Sequence, residues 1–109
     1  MKTTIDLSNS FVEMVASSAL SDPYWIDGIE IVGEEKGWYY SEHLANGGTI
    51  KIHDLEENEW HTITNEQFVA AIGKYIQALY VDETLDGYLD DATAEMVLQI
   101  ACFGEVIYG

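Results

Sequence analysis

The sequence predicts an α+β fold over a single domain, residues 1–109: a three- to four-stranded antiparallel sheet with three helices packed on it, in the order α-β-β-β-α-α. Three observations predict it. Two capping-box spacings, Ser10 with Glu13 and Thr64 with Gln67, stand at the heads of stretches with helical periodicity. Between them, residues 24–63 are rich in aromatic and β-branched side chains and are punctuated by glycine turns. After residue 64 the apolar spacing returns to three and four.

Residues 4–7 read as a short extended lead-in. Ser10 is the candidate cap of the first helix, and Phe11, Met14, Val15, Ser18 and Ala19 share one face of it. Asp22-Pro23 ends it, because the residue before a proline avoids the α region. Tyr24 to Val32 reads as the first strand, with Trp25, Ile29 and Ile31 on one side and Asp27 interrupting it. Gly33 to Gly37 reads as a hairpin loop, and Trp38 to Leu44 as a second strand. Asn46-Gly47-Gly48 signals a turn into a third strand, Thr49 to Leu55, with Ile50 and Ile52 inward. Trp60 to Ile63 adds a short further piece.

Thr64 and Gln67 then open a second helix whose stripe is Phe68, Ile72, Tyr75, Ile76 and Leu79. A third helix, capped by Asp90 or Asp91, is apolar nearly all round over residues 96–103, which predicts a central, buried position. Gly104 suits its C-terminal cap, and residues 106–108 suit a final short strand. The expected core is Phe11, Val15, Trp25, Ile29, Ile31, Ile50, Ile52, Phe68, Ile72, Ile76, Val97, Ile100 and Ala101.

Charge is the dominant feature. Asp and Glu number 20 against 4 lysines, with no arginine, for a net charge of -16. Apolar residues make up 48% of the chain, far above a disordered acidic tail, so the acidity belongs to a folded body. Such a field excludes direct nucleic-acid binding, which needs Lys and Arg to neutralise phosphates. It also repels anionic membrane surfaces. No apolar stretch approaches a membrane span and no leader pattern follows Met1. Cys102, the lone cysteine, lies in an apolar run and reads as an inert buried thiol. Together these point to the cytoplasm, which for a phage-encoded chain is that of the host cell.

No catalytic pattern emerges, so the expectation is a non-enzyme with no cofactor and no metal. His43, His53 and His61 lack zinc-ligand spacing, with His43 and His53 expected as strand neighbours across the Asn46-Gly47-Gly48 turn. The serines lack a nucleophile-elbow setting, and no phosphate-cradling glycine pattern occurs. The loop 82–93 resembles an EF-hand in part: Asp82, Asp86, Gly87, Leu89 and Asp90 fall at the matching positions. Thr84 and Thr93 stand where ligands are needed, above all the bidentate glutamate of the last position, so calcium binding is the lesser alternative. The aromatic set Tyr24, Trp25, Trp38, Tyr39, Tyr40 and Trp60 lacks the cations of a base-stacking platform and reads as packing.

The carboxylates fall in three loop clusters. Glu34 and Glu35 form the first; Asp54, Glu56, Glu57 and Glu59 the second; Asp82, Glu83, Asp86, Asp90 and Asp91 the third. At one duplex charge per about 1.7 Å, 16 charges correspond to roughly 27 Å of DNA. A folded body of this length is of similar size. These eleven residues are therefore the expected partner-binding set, and the expected partner is a basic protein surface.

The segments Tyr24-Trp25-Ile26-Asp27 and Phe103-Gly104-Glu105-Val106-Ile107-Tyr108-Gly109 resemble those of small acidic phage or mobile-element proteins. The expected order of elements also resembles that of a class of anti-CRISPR proteins. That resemblance implies an inhibitor that mimics DNA charge in the channel of a nucleic-acid-binding host defence enzyme, the logic anti-restriction proteins also use. No motif aligns residue by residue, so it assigns no site residue. A plain interaction or adaptor module, or a homodimer, with an aromatic centre and an acidic rim, is the alternative.

Overall fold

A computed structural model describes residues 8–21, 23–34, 37–79 and 91–108. The elements are α1 (Asn9–Ala19), β1 (Ile26–Val32), α2 (Tyr40–Ala45), β2 (Thr49–Asp54), β3 (Glu59–Thr64), α3 (Asn65–Leu79) and α4 (Asp91–Phe103). The sheet has three strands in the order β1-β2-β3, all antiparallel. The fold class is therefore α+β, with four helices among the described residues where three were expected.

The main correction is at residues 38–44, where the expected second strand is the helix α2. His43, Leu44 and Ala45 are consecutive and all buried. A strand alternates its faces and cannot bury three residues in a row on one side. One helical turn wedged against α1 and the sheet can. Glu42 carboxylate accepts from the Tyr39 amide at 3.1 Å at its start, and Asn46 Nδ2 donates to Glu42 O at 2.8 Å at its end. Residues 40–45 therefore give β1 no hairpin partner, and β1 pairs with β2 instead. His43 faces the core rather than pairing across a turn with His53. The observed order is α-β-α-β-β-α-α, which departs from the order that carried the anti-CRISPR likeness.

The ends of the helices follow local chemistry. Ser8, not Ser10, caps α1, its Oγ accepting from the Phe11 amide at 3.3 Å. The buried face is accordingly Val12, Val15, Ala16 and Ala19, with Phe11 and Met14 half-buried beside it. The Thr64 and Gln67 box forms in both directions: Gln67 N donates to Thr64 Oγ1 at 3.1 Å, and Thr64 N donates to Gln67 Oε1 at 2.8 Å. Gly104, at φ +82°, ends α4 and donates its amide to Ile100 O at 2.9 Å.

On the sheet, β2 alternates cleanly, with Ile50, Ile52 and Asp54 buried. Ile63 of β3, opposite Ile50, completes the inner face. Trp25, Phe68, Ile72 and Val97 are buried as expected; Ile29, Ile31, Ile100 and Ala101 are half-buried. The side chain of Ile76 lies outside the described residues, as does the lead-in at 4–7. Ala94, Val97, Leu98 and Gln99 bury the middle of α4, whereas Ile100 to Phe103 are half-buried. Residues 106–108 form no strand. Gln99 bonds them instead: its Oε1 accepts the amides of Ile107 and Tyr108 at 2.8 Å each, and its Nε2 donates to Tyr108 O at 3.2 Å. No helix among the described residues is long and apolar enough to cross a membrane.

Candidate interaction site

The turn between β2 and β3 is the most constrained acidic feature among the described residues. Leu55 to Asn58 reverse the chain, with Asn58 left-handed at φ 55°, a conformation asparagine tolerates well. Glu56, Glu57 and Glu59 are exposed around it. Asp54 departs from the expected role: it is fully buried and points inward with Ile50 and Ile52. Its carboxylate is not presented to solvent. It holds the turn from beneath, accepting the Glu56 amide at 2.9 Å and the Glu57 amide at 3.2 Å on Oδ1. The Tyr108 hydroxyl donates to its Oδ2 at 2.7 Å. A buried carboxylate requires such donors, and here the backbone turn and the C-terminal segment supply them.

Neighbouring groups respond to this charge. Burial, followed by the hydrogen bond to Asp54, pushes the Tyr108 hydroxyl well above its ordinary value. Burial, reinforced by Asp54, pushes the Cys102 thiol up to about 12, which keeps it protonated and unreactive. His61 lies edge-on to Phe103, with Nε2 3.8 Å from Asp54 Oδ2 and 4.0 Å from Glu59 Oε2.

The outer face of the sheet braces the same turn. His53 Nδ1 bonds Asp27, and its Nε2 bonds Asn58 Oδ1 at 3.0 Å. The hydrogen bond to Asp27 is the main cause that raises the His53 pKa. Trp60 stacks tilted on the imidazole, 5.1 Å between centroids, and Lys51 Nζ sits 5.5 Å from the Trp60 ring while pairing with Glu30 at 3.5 Å. Asp27 reaches this face because β1 carries a bulge between Ile26 and Gly28.

Among the described residues, Glu34 and the Glu56, Glu57 and Glu59 group lie apart. Glu34 follows β1 at the Val32 end, which pairs with Thr49; Glu56, Glu57 and Glu59 lie at the Asp54 end. The length of β2, about 20 Å at 3.4 Å per residue, separates them. Glu35, Asp82, Glu83, Asp86 and Asp90 lie outside the described residues, and with them most of the 82–93 loop. Asp91 opens α4, and Thr93 lies within that helix. No group of three His, Cys, Asp or Glu among the described residues is arranged to hold a metal.

The sequence reading missed the inward Asp54, the Asp27–His53–Asn58 bridge and an exposed aromatic set. Strand parity marks the first, since Asp54 shares the face of Ile50 and Ile52. The aromatic set is Tyr24, Trp38, Tyr39 and Tyr40, with Tyr39 79% exposed. Tyr39 and Tyr40 wall a shallow groove with Leu20 and Ser21, and Tyr40 walls a second with Leu20, Pro23, Ile26, Asp27, Gly28 and Ile29. No family model, curated protein or solved structure matches the chain.

Proposed function

We propose that the chain is a non-enzymatic binding protein that occupies a cationic, nucleic-acid-binding surface by presenting carboxylates in place of phosphates, as anti-CRISPR or anti-restriction inhibitors do. The supporting observation is the braced turn. Glu56, Glu57 and Glu59 stand on a backbone tied from within by Asp54 and Tyr108 and from the outer face by His53 and Asn58. A carboxylate array whose backbone is already ordered loses less freedom on binding than one on a loose loop. The net charge of -16 adds long-range attraction to any basic groove.

The test is capture of a basic partner on the immobilised full chain, followed by competition with duplex DNA. Competition by DNA, and its weakening in a variant with Glu56, Glu57 and Glu59 changed to Gln, is the expected result. A partner that DNA does not displace overturns the mimicry.

The exposed aromatics favour a second reading, an interaction module whose energetic centre is Tyr39 and Tyr40 with carboxylates as rim. Alanine at Tyr39 and Tyr40 then abolishes capture, while the glutamine variant changes mainly the association rate.

A further inference from the structure

Among the described residues, no strand lies beside the outer edge of β1. β1 pairs with β2 on one side only. Apart from the Ile26 amide, which donates to Pro23 O at 3.2 Å, no backbone group of β1 bonds outside the sheet among the described residues. In an antiparallel pair, alternate residues turn their N–H and C=O groups away from the neighbour, so among the described residues this edge leaves a row of both unpaired. The inner face thins out at the same edge: Ile29 and Ile31 are half-buried, whereas Ile52 and Ile50 opposite them are fully buried. Helix α2 packs on β1 as well as on β2, but its cover leaves Ile29 and Ile31 partly exposed. A groove of about 320 Å³ runs there, lined by Ile26 to Ile29, Leu20, Pro23 and Tyr40 and by no residue of β2.

We propose that this edge takes an extended cationic segment of the partner as a fourth strand. An added strand continues the pleat, so its inner-face residues lie beside Ile29 and Ile31 and call for apolar side chains. Its outer-face residues lie beside Glu30, an exposed carboxylate that pairs with Lys51 at 3.5 Å on the β2 side and leaves its other side to a second cation, so basic residues suit them. The occupant is thus a strand that alternates apolar and basic residues. A second copy of the chain is a poor occupant, because it brings another charge of -16. The bulge at Ile26 and Gly28 limits regular pairing to the part of β1 after it, and the negative field of the chain favours a basic strand there over an acidic one.

The inference rests on the reading that the partner is cationic, and its test separates the two. The probe is an eight-residue peptide of alternating Val and Lys, titrated into the isotopically labelled full chain at moderate salt. Two control peptides are the same sequence N-methylated at alternate residues and its Val/Glu counterpart. The expected result is saturable binding with slowed amide exchange confined to β1 and the Tyr40 groove. N-methylation, which keeps charge and side chains but removes edge hydrogen bonds, weakens it by about tenfold or more. The Glu30→Lys variant loses affinity for the Val/Lys peptide and gains it for Val/Glu. Binding that survives N-methylation and maps to Glu56–Glu59 overturns the edge proposal and leaves the acidic-turn reading standing. Equal binding of Val/Glu overturns the cationic occupant. A dimer of the free chain with β1 amides protected assigns the edge to a second copy and also overturns it.

Discussion

Tyr108 and Asp54, 54 residues apart in the chain, meet through a hydroxyl that donates to a fully buried carboxylate at 2.7 Å. The pair joins the last described residue to the root of the acidic turn. Asp54→Ala leaves that hydroxyl and the Glu56 and Glu57 amides without their acceptor, and is expected to cost about 3 kcal/mol of unfolding free energy. Denaturant melts measure it. In Tyr108→Phe, amide exchange at Glu56 and Glu57 accelerates while the exchange of β2 residues Ile50 and Ile52 changes little.

Gln99 replaces the missing final strand by bonding both sides of residues 107–108. Gln99→Met keeps the volume and removes the three bonds, leaving two amides without an acceptor. A loss of about 1–3 kcal/mol is expected. Trp25 fluorescence also changes, because its ring packs on Tyr108 at 5.2 Å.

Gly48 lies where a Cβ would meet the His43 carbonyl oxygen at 2.5 Å. Backbone cannot yield as a side chain can, so Gly48→Ala is expected to destabilise by about 1–3 kcal/mol. The size of the loss reports on the packing of α2 against β2, and chemical denaturation reads it.

His53 gives a pH dependence with a definite sign. Its folded pKa is raised above 6.5, chiefly by the bond to Asp27. Below 6.5 folded and unfolded chains both hold the proton. As pH rises past 6.5 the unfolded chain loses it first, so stability falls until pH passes the raised folded value. Asp27→Asn lowers the His53 pKa in an imidazole NMR titration and flattens that decline. Asn58→Ala lowers it less, consistent with the smaller contribution of that bond.

The legible parts of this fold are those decided by short-range chemistry. The Thr64 and Gln67 box, the Phe68, Ile72 and Tyr75 part of the α3 stripe and the Gly104 cap depend on residues within one turn, and these stand; the side chains of Ile76 and Leu79 lie outside the described residues. The strand β2 was legible because Ile50 and Ile52 alternate with polar residues. Helix α2 was not, because Trp38, Tyr39 and Tyr40 carry strong strand preference while Leu44 and Ala45 are buried by α1, a contact no local pattern encodes. Ser8 outcompetes Ser10 as a cap because the buried face of α1 is Val12, Val15, Ala16 and Ala19, and tertiary packing chose that face. Of the second acidic cluster, Glu56, Glu57 and Glu59 are exposed as expected. Asp54 differs because its neighbours in space, Tyr108 above all, lie far away in the chain.

Salt dependence of partner binding, compared for the wild type and for the triple variant of Glu56, Glu57 and Glu59 to Gln with and without duplex DNA, separates phosphate mimicry from the other readings. Exposed charges are screened over about 8–10 Å at physiological salt, so a carboxylate-driven complex weakens steeply as salt rises. Phosphate mimicry predicts a shallower salt slope and weaker binding for the variant, with unchanged thermal melting, and displacement of the wild type by DNA. Equal affinity and equal slope for the two proteins, with DNA leaving both complexes intact, would contradict it.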